Sequence, residues 1–130
     1  MRDKKSAGTV NLQQVSKLVI IMQMAFEDAV AVGEALLENA TGDQNKKSEM
    51  LNQLIELEQE NTPVDYAQTV IPFLCQLTLQ QPNPKLKKYS RKGQGEKLAL
   101  YANAFAAGIR ICFDEAEIDG AKGGSVCKQA

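Results

Sequence analysis

Apolar residues spaced three and four apart run through most of this chain, the period of an α-helix packed on one side. In the first third, Leu12, Val15, Val19, Met22, Phe26, Ala29 and Leu36 follow it, with Gly33 in the slot that lacks a side chain. A second line, Leu18, Ile21 and Ala25, lies beside the first and widens the stripe between Leu18 and Phe26. The pattern predicts a helix capped within residues 9–11 and continuing to Asn39, ~30 residues or about 45 Å. Thr41-Gly42-Asp43 reads as a stop followed by a new cap.

A second helix is expected over 44–60, with Met50, Leu51, Leu54, Ile55 and Leu57 on its apolar side. Glu56, Glu58 and Glu60 make its end acidic, which the helix dipole disfavours unless another group offsets them. Thr62-Pro63-Val64-Asp65 reads as a capping box, with Pro at the first helical position. Tyr66, Ala67, Val70, Ile71, Leu74 and Leu77 continue it on one side. Pro72 sits ten residues in, where it should kink or split the helix. Pro82 and Pro84 end it, and residues 82–95 read as a loop. The last helix is expected over 94–118. Leu98, Tyr101, Ala102, Phe105, Ile109, Cys112 and Ala116 line one face, and Ala104, Ala107, Gly108 and Ile111 line another, small enough to admit a close neighbour. No segment has strand periodicity. The expectation is an all-α fold, a compact antiparallel bundle of four main helices with one kinked or split at Pro72. A chain of 130 residues fits one domain at 9–119, between a flexible N-terminus at 1–8 and a flexible tail at 120–130.

The residue inventory removes most catalytic chemistry. There is no histidine, so the commonest general base, the commonest metal ligand and every Ser-His or Cys-His pair are absent. Gly93 and Gly95 form only a G-x-G, which reads as a hinge before a helix rather than a phosphate loop. Asp114 and Glu117 are spaced as one carboxylate pair on a helix, but no second pair matches them, so they read as a solvated helix end. The expectation is no enzyme, no cofactor and no metal. Cys75 and Cys112 lie at core spacing and read as buried thiols, and Cys127 falls in the tail. Three irregular cysteines make no disulfide framework, which suggests a reducing, cytoplasmic setting. The longest apolar run, residues 18–22, is far short of a membrane span of roughly 20 residues. Asp3 and Gln23 spoil a secretory signal, so no membrane is expected.

Two surfaces remain. Lys85, Lys87, Lys88, Arg91, Lys92 and Lys97 face Glu96 alone, a local charge of +5 inside a chain of net charge −1. With Tyr89 interleaved, such a strip can neutralise backbone phosphates while the ring stacks on a base. It equally suits an acidic protein, or is simply a solvated loop. Val19, Ile20 and Ile21 are consecutive, so some face away from a one-sided core. They are a candidate protein interface or the mark of a central helix. The expected function is a non-enzymatic helical interaction protein. Its sharpest form is a small nucleoprotein subunit contacting RNA or DNA backbone through 85–97. The alternative is a protein–protein adaptor or small inhibitor, such as a phage or mobile element encodes. A protein partner or larger complex is expected, with nucleic acid and a homo-oligomer as further partners.

Overall fold

In a computed structural model, residues 12–121 are described, with side chains over 15–116. The flexible end expected at 1–8, the cap within 9–11, and Cys127 lie outside the described residues, as does all of the tail expected at 120–130 except residues 120 and 121, which continue the last helix instead. Within them the chain is all-α, with no strand. Helix α1 spans Leu12–Glu38 and α2 spans Gln44–Glu60. Helix α3 joins Pro63–Asp65, a π turn at Tyr66–Val70, and Ile71–Leu77. One-turn α4 is Lys85–Tyr89, and α5 is Gly95–Ala121.

The boundaries follow local chemistry. After α1, Thr41 donates its hydroxyl to the Glu38 carbonyl at 2.9 Å, and Gly42 takes a φ of +80° that side chains disfavour. Asp43 caps α2 by accepting the Lys46 amide at 3.0 Å. Thr62 caps α3 by accepting the Asp65 amide at 3.1 Å, with Pro63 in the first turn. Pro72 neither ends nor splits this helix. The turn before it widens to π spacing, with the Ile71 amide bonded to the Tyr66 carbonyl. A wide turn relieves the clash of the ring with the carbonyl four residues back. Leu79 ends α3 in left-handed backbone, at φ +59°, inside a Schellman pair: Leu79 amide to Gln76 carbonyl, Gln80 amide to Cys75 carbonyl.

The 82–95 segment is more ordered than a loop. Asn83 accepts the Lys85 amide through Oδ1 at 2.9 Å, which starts α4. Its Nδ2 donates to Asp28 of α1, also at 2.9 Å. Tyr101 of α5 donates to the same Asp28 oxygen. One carboxylate thus ties together α1, α5 and the proline-rich connection.

Helices α1 and α5 are the central pair, and they run parallel. Lys17 and Leu18 lie beside Lys97 and Leu100, Phe26 and Ala29 meet Gly108, and Gly33 meets Cys112. Residue numbers rise together, so the antiparallel arrangement expected of the bundle fails for this pair. Two close approaches hold the pair in this register: Gly33 admits Cys112, and Gly108 admits Ala29 and Phe26. The chain re-enters at the end where α1 began, after the 78–94 connection. Helix α2 does run antiparallel to α5: Glu58 pairs with Arg110, and Asn61 lies near Asn103. That Arg110 guanidinium is the group that offsets the acidic end of α2.

The core contains Ile21, Ala25, Ala29, Val32 and Leu36 of α1 and Leu54 of α2. Tyr66, Val70, Ile71 and Leu74 of α3, and Leu86 and Tyr89 of α4, join it. From α5 come Leu98, Tyr101, Phe105, Ile109 and Phe113. Burial holds the Tyr66 and Tyr101 hydroxyls far above their ordinary value. The Glu58 charge adds to the effect at Tyr66, and the Asp28 hydrogen bond adds at Tyr101.

A raised folded-state value favours the neutral phenol, so this stabilisation is complete below about pH 10, where an unfolded tyrosine titrates. It is lost as pH rises further. Helical circular dichroism should hold to about pH 9 and collapse cooperatively above about pH 10. Tyrosinate absorbance should rise in that same transition. A smooth tyrosinate rise with the helix signal intact would contradict the burial of these rings.

Candidate interaction surfaces

A helix rotates 100° per residue, so three consecutive side chains cannot share a patch. The structure separates Val19, Ile20 and Ile21 accordingly. Ile21 is 3% exposed and belongs to the core, which removes it from the candidate interface. Ile20 is 58% exposed on the side away from the α1 apolar row. Val19 alone of the three lies on an apolar face shared with other residues.

That face is larger than the three residues suggested. On α1 it comprises Val15, Val19, Met22 and Phe26, with Leu18 at its edge. On α5 it comprises Leu100, Ala104, Ala107 and Ile111. Both rows follow the same spacing of four, three and four residues, and the parallel register lays them side by side. Val15, Leu18, Val19, Met22, Phe26 and Ile111 are each between 39% and 46% exposed. Between the rows runs an open groove of about 540 Å³, floored by Ala104 and Ala107 and edged by Gln23 and Glu27. Small residues on α5 make the groove: alanines cannot fill the space that Met22 and Phe26 stand over. Residues 15–20 of α1 are all exposed, so no described element covers this end.

The first apolar line read from the sequence is therefore mostly the open face, and the second line, with Ile21 and Ala25, is the core. Phe113 and Ala106 are buried core residues that the periodicity reading missed. Phe113 stands one residue past the expected Cys112, which is only half-buried against Gly33.

No family model, curated protein or solved structure matches this chain.

The basic segment forms a second surface, and α4 divides it. Lys85, Lys87 and Lys88 are exposed on the outer side of α4, and Arg91 and Lys92 are exposed in the turn before Gly93. Lys97 is half-buried on α5, apart from them and next to Lys17. Tyr89 is 7% exposed and packs inward with Leu86, so its ring serves the core rather than standing free to stack on a base. Leu86 and Tyr89 lie three apart, which places them on one side of a single helical turn. That spacing was visible in the sequence. A groove of about 500 Å³ separates α4 from the π turn of α3, lined by Ala67, Pro72 and Pro82 among others.

Little here resembles a reactive centre. Among the described residues no three His, Cys, Asp or Glu side chains gather as metal ligands would. Asp114 is exposed, and the side chain of Glu117 lies outside the described residues. Burial pushes the Cys75 thiol up, and the Asp28 charge adds to it. Burial likewise raises Cys112, with Glu34 and Glu115 adding negative charge. Both thiols are thus held in the poorly nucleophilic protonated form. Among the described residues no helix is long and apolar enough to cross a membrane.

Proposed function

We propose that this protein is a non-enzymatic interaction module that docks another protein element on the α1–α5 face. The observation that carries the reading is the pair of matched apolar rows with an open groove between them. Soluble proteins rarely leave a contiguous apolar patch of this kind, and those that do commonly use it for binding. An amphipathic helix laid between two helices is a recurring protein-recognition mode.

A photo-cross-linking amino acid at Met22, in the groove, should form adducts with protein. The same group at Glu49, exposed on the remote α2, should form none. Equal adduct yields at the two positions, or none at Met22, would sink the docking reading.

A second reading is supported by the exposed cations of α4 and the following turn. Lys85, Lys87, Lys88, Arg91 and Lys92 could neutralise phosphates of RNA or DNA without reading bases. This is the nucleoprotein-subunit form of the function, with the stacking role of Tyr89 removed. The same photo-cross-linker at Lys88 separates the two: adducts with nucleic acid there, and none with protein at Met22, would favour this second reading.

A further inference from the structure

We propose that the outer side of α4, with the turn after it, binds the phosphates of double-stranded DNA across a groove, without reading bases. This goes beyond the docking reading and deepens the second one, on which it rests.

The placement of the cations is the first argument. Leu86 and Tyr89 hold the inner side of α4 against the core. At 100° per residue, Lys87, Lys88 and Lys85 span an arc of about 160° on the opposite side. The Arg91 amide bonds to the Lys88 carbonyl, so the chain winds on and brings Arg91 back toward the Lys87 side. Lys92 follows in the turn that Gly93 closes at φ +86°. All five cations are exposed, and no acidic residue lies in the sequence between Asp65 and Glu96. Glu96 lines a different pocket with Lys17 and Lys97, and Asp28 is engaged by Asn83 and Tyr101. Among the described residues none of the five is in an ion pair.

The arc is also fixed in advance. Asn83 starts α4 by accepting the Lys85 amide and is itself held by Asp28. Side chains mounted on such a support lose less freedom when a ligand arrives.

The inward turn of Tyr89 decides between a strand and a duplex. Proteins that hold single strands join a basic groove to aromatic platforms on which bases stack. The exposed rings among the described residues, Phe26 and Phe73, belong to α1 and α3 instead. Contact with backbone is what remains, and a duplex offers phosphates most densely, about one charge per 1.7 Å of its axis. A single backbone would meet one flank of α4 and leave the rest of the arc unused. A helix with its side chains is about 10–12 Å across, close to the ~12 Å major groove of B-form DNA, whose two strands would flank it. The major groove of duplex RNA is deep and narrow and offers no such fit.

Fluorescence anisotropy of the full chain should rank three labelled probes: duplex DNA of about 30 base pairs first, then duplex RNA, then the single DNA strand. Scrambling the duplex sequence should change nothing. Between about 50 and 200 mM salt, the logarithm of the affinity should fall against that of salt with a slope of about −4 to −5. Lys88→Glu with Arg91→Glu should weaken duplex binding more than about tenfold and flatten that slope, with helical circular dichroism unchanged. Lys46→Glu with Lys47→Glu on α2 changes the total charge equally and should leave binding nearly intact. Equal losses from the two pairs would overturn the site. A single strand bound as tightly as the duplex would overturn the duplex proposal and leave the phosphate-binding reading standing. Duplex RNA bound as tightly as DNA would overturn the choice of DNA. No binding of any probe at low salt would overturn both that reading and this proposal.

Discussion

Phe105→Ala should cost about 3–5 kcal/mol, the largest loss expected from any single truncation in this fold. Phe105 is wholly buried at the middle of α5. Its ring centroid lies 6.4 Å from Tyr66 in an edge-to-face contact and 6.2 Å from Tyr101 in a stacked one. Those two tyrosines cannot collapse into the void. The Tyr101 hydroxyl is bonded to Asp28, and Tyr66 is fixed in the π turn of α3. The full cost of the cavity should therefore be felt, because cost follows how far a site can relax. In a domain this size the melting temperature should fall on the order of 10–20 °C. Urea unfolding followed by circular dichroism, at one fixed protein concentration, should show a lower midpoint with the slope unchanged. Phe105→Leu keeps most of the volume and should cost about 1.5 kcal/mol or less. Equal losses from both variants would mean that ring contacts, rather than filled space, decide the stability here.

Much of this arrangement was legible in the residues, and the misses have physical causes. Helix positions followed from period, caps and prolines: Asp43 and Thr62 cap as their spacing predicts, and Pro63 takes its first-turn place. Helix direction did not follow, because periodicity is blind to it. The parallel register of α5 on α1 rests on the close approaches at Gly33 and Gly108, which the pattern of either helix alone does not show. Pro72 was expected to kink or split α3, and the helix is indeed joined and kinked; that the kink takes the form of one widened turn between Tyr66 and Ile71 is a backbone solution that residue type does not announce. The wide stripe on α1 correctly announced surplus apolar surface. Choosing which of its two lines is core needed the partner helix. Gly33 on the first line and Gly108 on α5 set where the backbones meet, and that leaves Val19 and Met22 beside the seam instead of within it. The basic segment was legible as charge but not as structure. Tyr89 drew a binding role from its charged neighbours, whereas its three-residue spacing from Leu86 is the signature of the buried side of α4.

Gly108→Val should destabilise the fold by about 2–3 kcal/mol and impair the docking face at the same time. A Cβ at Gly108 would stand 2.8 Å from the Ala29 Cβ and 3.1 Å from the Phe26 ring. Ala29 has no rotamer with which to give way, so the helices themselves must part. Replacing a mid-helix glycine ordinarily gains up to ~1 kcal/mol of helix propensity, so a net loss isolates the packing effect. Gly108→Ala should also lose stability, by less. Ala29→Gly in the Gly108→Ala background removes the obstructing methyl and should recover most of that loss, a coupling that a double-mutant cycle reads directly. Gly33 offers the comparison: its added Cβ would meet the Cys112 sulfur at 2.9 Å, which can rotate away, and the Cys112 Cβ at 3.1 Å, a milder approach than the 2.8 Å at Ala29, so Gly33→Ala should cost less. Phe26 belongs both to the Gly108 contact and to the open groove. Parting the helices therefore moves the groove wall, and the yield of protein adducts from the cross-linker at Met22 should fall in Gly108→Ala even where the chain remains folded. An adduct yield unchanged in that variant would mean that the closeness of α1 and α5 holds the fold together without shaping the surface they share.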